Sequence, residues 1–285
     1  MDFHYLHHNK SLLPAMIGFW LFFGAGLPSK SFAQTPGDSL RLLQALPVSA
    51  AFAAVDNLNN VYIITPDNAI VKYAPDGRQL TRYSNNRLGR AALVDVSNPL
   101  KVLVWYADFR VVVFLDRSLT ELGELNLISA GFPEVRCVTA AQDGNLWLYD
   151  EVNFRLVKVT PDGAKRYESQ AMNLMEPAPN RPTWLQEGND RVWMADSLSG
   201  VFGFDLFAQF DKVFQPLEPV TEFQIVANQL HYLSDNKIVE EHLLVRLNRE
   251  VAIPAGIMAE KTARLSGGKL LLTGKGSLEL YRSEE

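Results

Sequence analysis

Cysteine is almost absent: Cys137 stands alone in 285 residues, so no intramolecular disulfide can form and no zinc site can be built from cysteine alone. Positive charge is not in excess either, with 27 Lys+Arg against 32 Asp+Glu and a net charge of −5. Without a surplus of cations to displace the counterions of a phosphate backbone, nucleic acid is not expected as a partner, and neither are anionic lipid surfaces. Histidine is scarce beyond the N-terminus, where His4, His7 and His8 sit; only His231 and His242 follow. That leaves too little imidazole for a His-rich metal site. Helix-length amphipathic segments are missing throughout. What the chain does have is apolar material, 47% of its residues, enough for a globular core and too much for disorder.

The first 33 residues form a separate object. LLPAMIGFWLFFGAGL, residues 12–27, carries no charge, follows Lys10 and precedes the small-residue pattern Ser31, Phe32, Ala33. This layout predicts a secretory signal peptide cleaved after Ala33, with a mature chain beginning at Gln34 that is periplasmic or secreted and has no stable membrane insertion. An uncleaved anchor is the alternative, since the run approaches bilayer-spanning length. No cysteine stands near position 33, which excludes a lipoprotein lipobox.

The rest of the chain is organised by a repeat. Short apolar strands begin at Val61 (VYII), Val102 (VLVW), Leu146 (LWLY), Val192 (VWMA), Leu230 (LHYL) and Leu270 (LLLT), at spacings of 41, 44, 46, 38 and 40 residues. Each lies within a unit of four short strands separated by turn residues. In the first unit these strands are expected at 51–55, 61–64, 69–73 and 79–83. Asn-Asn and Pro-Asp-Gly stand at the turns because Asn and Gly tolerate the positive φ that tight hairpins impose. Six four-stranded antiparallel units at this period predict an all-β, six-bladed β-propeller. The blades fall near 49–85, 91–128, 136–170, 183–216, 221–254 and 260–285. The last unit has only three strands, and Ser39–Leu46 belongs to no repeat. As a strand it would complete the sixth blade and lock the ring, although SLRLLQAL also has helical apolar spacing.

VDNLNNVYIITPDNAIVKYAPDGRQL and TAAQDGNLWLYDEVNFRLVKVTPDGAK resemble the NHL-type propeller repeat, in which apolar strands alternate with Asp, Asn and Gly turns. The other four units are degenerate. The whole chain also looks like exported propeller proteins of Bacteroidetes, with SNPLKVLVWYADF its most family-like stretch. The resemblance implies the TolB-like six-bladed architecture and no particular activity.

Two sets of polar residues recur with the repeat. Asp67, Asp108, Asp150, Asp196 and Asp235 each follow the second strand of a unit. On one face of a propeller they would form a ring for Ca²⁺ or a cationic ligand; as Asx-turn residues they would only close their own hairpins. At the ends of the innermost strands stand Asp56, Asp95, Gln142, Glu187 and Asn228. By analogy with six-bladed lactonases, Asp95 and Glu187 would bind a channel Ca²⁺, with Gln142 or Asn228 completing the shell. Polar strand ends are the other reading, and no lactonase motif matches residue by residue.

No catalytic residue is assigned. There is no Gly-Xaa-Ser-Xaa-Gly elbow, and Trp105, Trp147 and Trp193 fall where blades pack on one another. His231 lies inside an apolar strand, and His242 beside Glu240 and Glu241 reads as an exposed position. Arg82, Arg87 and Arg90 cluster at the link between the first two blades. The excursion Met172–Pro182, with three prolines, is the longest break in the repeat and a candidate contact. The expected function is a non-catalytic binding or scaffold propeller of the bacterial envelope, with a protein partner on the face of the second-to-third-strand turns and no cofactor. A Ca²⁺-dependent lactonase-type hydrolase is the rival.

Overall fold

The computed structural model describes residues 40–284 apart from Pro99 and Arg246. The expected leader, residues 1–33, and its cleavage site lie outside the described residues, as does Ser39.

After β1 (Leu40–Leu46) come the four strands of blade 1: β2 (Phe52–Val55), β3 (Val61–Ile64), β4 (Ala69–Tyr73) and β5 (Gln79–Ser84). Blade 2 is β6 (Ala91–Asp95), β7 (Lys101–Tyr106), β8 (Val111–Asp116) and β9 (Glu121–Asn126); blade 3 is β10 (Val135–Ala140), β11 (Leu146–Asp150), β12 (Arg155–Val159) and β13 (Lys165–Glu168). Blade 4 contains β14 (Pro182–Gly188), β15 (Arg191–Asp196), β16 (Gly200–Phe204) and β17 (Phe210–Phe214), and blade 5 contains β18 (Phe223–Val226), β19 (Gln229–Ser234), β20 (Lys237–His242) and β21 (Asn248–Ala252). A single helical turn, α1 (Ala255–Met258), precedes β22 (Thr262–Ser266), β23 (Lys269–Gly274) and β24 (Ser277–Ser283).

Each blade is a four-stranded antiparallel sheet in chain order, and the sixth reads β1-β24-β23-β22. The N-terminal segment is therefore a strand: Leu40 pairs with Ser283 and Leu46 with Leu278, with a bulge between Leu42 and Gln44. Pairing to β24 overrides the segment's helical spacing, because an unpaired β24 would leave an open sheet edge. Gln44 adds a clasp, its Nε2 donating to the Ala74 carbonyl of blade 1 at 2.8 Å.

The core lies between blades. Six apolar clusters fill the six junctions, the last joining Leu46, Leu278 and Leu280 to Val55, Val61 and Ile63 across the seam. This explains the run-like apolar sequence of the second and third strands. A strand sandwiched between two neighbours is buried on both faces and does not alternate, and all four residues of β3 are buried. The fourth strands face solvent and do alternate, as in QLTRYS of β5. Turns take the expected chemistry: Gly77 of Pro75-Asp76-Gly77 has φ 86° and Gly163 of the matching turn has φ 90°.

Trp105, Trp147 and Trp193 are all buried in the junctions. Lys158 lays its ammonium 4.9 Å from the Trp147 ring centroid and Lys212 lies 5.7 Å from that of Trp193. Burial also pushes the Cys137 thiol well above its ordinary range.

Candidate functional site

The first strand of every blade faces the central axis. These strands belong to six separate sheets, and side chains bridge them. Asp95 of β6 accepts Thr139 Oγ1 at 2.6 Å and the Ala140 amide at 2.8 Å from β10. Glu187 of β14 accepts the Gln142 amide at 3.0 Å and Trp147 Nε1 at 2.5 Å from blade 3. Gln186 accepts the Ile225 amide of β18 at 2.9 Å, Gln224 donates to the Leu265 carbonyl of β22 at 3.1 Å, and Ser266 accepts the Val55 amide of β2 at 2.8 Å. Five of the six inner junctions are thereby closed, and both oxygens of Asp95 and of Glu187 are engaged, since Asp95 Oδ1 also accepts the Ser97 amide at 2.9 Å.

Inside this ring is a cavity of about 410 Å³ lined by Asp95, Gln142 and Glu187 together with residues that sequence reasoning passed over: Phe52, Trp184, Glu222 and Arg264. The Arg264 guanidinium lies 4.0 Å from the Phe52 ring centroid and 5.7 Å from that of Trp184, and pairs with Glu222 at 2.7 Å. Burial raises the Glu222 carboxyl to about 6 against the opposing pull of Arg264. Asn228 stands apart from this lining: its carbonyl accepts the Leu243 amide at 2.9 Å. Asp56 is fully engaged at its own turn, accepting from the Leu58 and Asn60 amides, Asn60 Nδ2 and Tyr62 OH. Among the described residues no group of three or more His, Cys, Asp or Glu side chains is gathered so as to hold a metal ion.

The acidic series lies at the expected turns but in unlike environments. Asp67 is exposed and pairs with Arg82 at 2.6 Å. Asp108 is exposed and accepts the Arg90 amide at 3.2 Å. Asp150 is buried, accepting from the Val152 and Asn153 amides and Asn153 Nδ2. Asp196, only 1% exposed, accepts the Leu198 and Ser199 amides of its own turn at 3.0 Å, the Asn180 amide at 2.7 Å, and the Arg181 amide. Asp235 takes positive φ, 50°, in an exposed turn. Asp67, Asp150 and Asp196 thus each carry hydrogen bonds within their own blade or turn, and Asp196 in addition holds the 172–182 excursion. Ser199 Oγ donates to the Ala178 carbonyl of the same excursion at 2.6 Å, and the Met172 amide bonds to the Phe154 carbonyl at 2.8 Å.

In an antiparallel blade the turn between the second and third strands shares one face with the connection to the next blade. On that face the tips of blades 2, 3 and 4 each raise an apolar side chain into solvent: Phe109 (54% exposed), Val152 (53%) and Leu198 (77%). Leu174 of the excursion is 86% exposed between the last two, whereas its neighbour Met172 is fully buried in the core. Blades 5, 6 and 1 carry Asp235-Asn236, Lys275-Gly276 and Pro66-Asp67 at the same turns. His242, read as an exposed position, is half-buried, and the neighbouring Glu240 and Glu241 are both buried. Glu241 accepts Tyr232 OH and the Leu217 amide, and Glu240 pairs with Arg249.

No family model matches the chain, and no curated protein matches it in sequence. Solved structures do share its fold. The selenomethionine-substituted virginiamycin B lyase from Staphylococcus aureus superposes with a TM-score of 0.59 at 14% identity, covering 86% of this chain and 99% of that one. A streptogramin B lyase gives 0.59 at 13% identity over 86% and 98% of the two chains, and a chain of a nidogen/laminin complex gives 0.56 at 15% over 72% and 80%. At these identities the likeness establishes the six-bladed propeller architecture and nothing about chemistry.

Proposed function

We propose that this chain is an exported binding propeller of the bacterial envelope, of the TolB-like kind with NHL-type repeats, that docks a protein partner and performs no chemistry of its own. The carrying observation is the arc of apolar tips: Phe109, Val152 and Leu198 occupy equivalent turns of three successive blades, with Leu174 beside them. Exposed apolar side chains scattered singly are ordinary, but a repeated placement on one sector of one face is the pattern of a contact surface. Two further features support the reading. The sector is built to hold its shape, since the excursion is fastened through Asp196, Ser199 and Phe154. In the channel, Asp95 and Glu187 have each of their oxygens engaged in hydrogen bonds that join blades or close a turn.

A photo-reactive phenylalanine analogue at 109, 174 or 198, in cells producing the full chain, tests the docking sector. The same adduct from all three positions, and none from 58, 100 or 207 on the opposite face, is expected. Adducts distributed equally over both faces, or their absence from the sector, would overturn the reading. N-terminal sequencing of the protein from the envelope fraction tests export: a chain beginning at Gln34 is expected.

A further inference from the structure

Resting on the docking reading above, the geometry points to a partner segment of defined chemistry: an extended apolar stretch flanked by carboxylates, its acidic end seated on Arg87 and Arg90. The link between blades 1 and 2 is fastened against the Phe109 tip. Asn68 grips it twice, donating from Nδ2 to the Gly89 carbonyl and accepting the Ala91 amide at Oδ1, both at 2.8 Å. Asn85 accepts the Arg87 amide at 3.1 Å, and Asp108 the Arg90 amide at 3.2 Å. Gly89, at φ 75°, leaves room for the neighbouring tip: a Cβ there would stand 3.1 Å from Phe109 Cδ2 and 2.9 Å from Asp108 Oδ2. The backbone that carries the two arginines is therefore held against the Phe109 tip.

The other arginines of this neighbourhood are spoken for. Arg82 pairs with Asp67 at 2.6 Å, Arg110 with Glu134 at 2.7 Å, and Arg136 with Glu151. Among the described residues the guanidinium groups of Arg87 and Arg90 have no carboxylate within 4.0 Å, and both residues are exposed. Asp108 accepts the Arg90 amide rather than a guanidinium group. On a chain with a net charge of −5, two unpaired guanidinium groups beside an apolar tip select for carboxylates, which the planar fork of arginine can grip with two parallel hydrogen bonds.

The test uses the full chain and three fluorescent peptides with one central Leu-Phe-Leu-Phe core, flanked by Glu, Lys or Gly-Ser. Polarisation titrations are expected to give the Glu-flanked peptide roughly ten-fold tighter binding than the Lys-flanked one at low salt. That preference should vanish in high salt and in the R87E/R90E variant, whose two exposed substitutions leave the melting temperature unchanged. Equal binding of all three peptides, abolished by F109D/L198D, would overturn the acidic-flank inference while leaving the docking sector in place. Binding that F109D/L198D does not alter, or no binding by any peptide, would overturn both.

Discussion

Replacing Asp196 by alanine should be the most damaging change in the acidic series. Its carboxylate is 1% exposed and accepts four backbone amides, two from its own turn and two from the Asn180-Arg181 segment. A hydrogen bond to a charged acceptor contributes about 1.5–3 kcal/mol, and donors left unpaired in a buried site cost about 1–3 kcal/mol each. Because all four bonds are only partly buried, water can re-pair some of the donors; counting about two of the four as left unsatisfied gives about 3–5 kcal/mol. At roughly 2–4 °C per kcal/mol for a domain of this size, the melting temperature should fall by roughly 6–20 °C. Asp196→Asn keeps one acceptor oxygen and should lose less than half of that. Asp67→Ala, which removes exposed contacts with Arg82 and Thr65, should leave the melting temperature nearly unchanged. Calorimetry measures the shifts, and hydrogen exchange should show the Asn180 and Arg181 amides losing protection in Asp196→Ala before the core does. Equal shifts for Asp67→Ala and Asp196→Ala, or undisturbed protection at 180 and 181, would refute the assignment of Asp196 as the fastening of the excursion.

Thiol reagents should leave Cys137 unmodified in the native chain and label it stoichiometrically in denaturant, because the thiol is buried and its ionisation is disfavoured by that burial. Adding Ca²⁺ or a chelator should not move the melting temperature, since Asp95 and Glu187 already spend their oxygens on neutral donors; a large Ca²⁺-dependent rise would show that these bonds yield to a metal. Glu222 is raised from 4.5 to about 6 in the folded chain, so between those values the native state holds a proton that the unfolded state has released. Its contribution to stability is complete below 4.5 and is lost as the pH rises through 6, and Glu222→Gln should flatten the stability curve across that window. Leu46→Asp should open the seam, because it places a charge in the cluster that joins blades 6 and 1; a cooperative transition at the parental temperature would contradict this.

The fold was legible because a propeller writes its period into the chain. The strand bounds of blade 1 emerge from VYII, AIVKY and the Asn and Gly turns, where local propensity and tertiary burial agree. The closing strand was legible by deficit, one unit being a strand short. Asp95, Gln142 and Glu187 were legible as channel residues and do line the cavity, but the bonds between blades were not, since the partners across the junctions from Asp95, Glu187, Gln186, Gln224 and Arg264 are 39 to 45 residues away. Yet that offset is the repeat period itself, so pairing polar residues one period apart would have found these bonds. The apolar tips left a fainter mark: in WYADFR and DSLSG, Phe109 and Leu198 sit where a hairpin needs only polar residues. Nothing local marks Glu240 and Glu241 as buried carboxylates, because their partners, Tyr232, Leu217 and Arg249, come from other strands and a connection.

The seam between β1 and β24 also sets an order of events on the ribosome. Leu46 must meet Leu278, its partner 232 residues later, and at roughly 5–20 residues per second that wait lasts tens of seconds. Blades 1 to 5 can each form as local meanders meanwhile, but β1 has no sheet to join until the end. A nascent chain is thus an open arc with a free first strand, and the ring closes only when β24 has emerged to pair with it. A stalled or truncated product would keep that strand unpaired and offer it to any exposed edge it met, which makes the seam the place where quality control can tell a finished copy from an unfinished one.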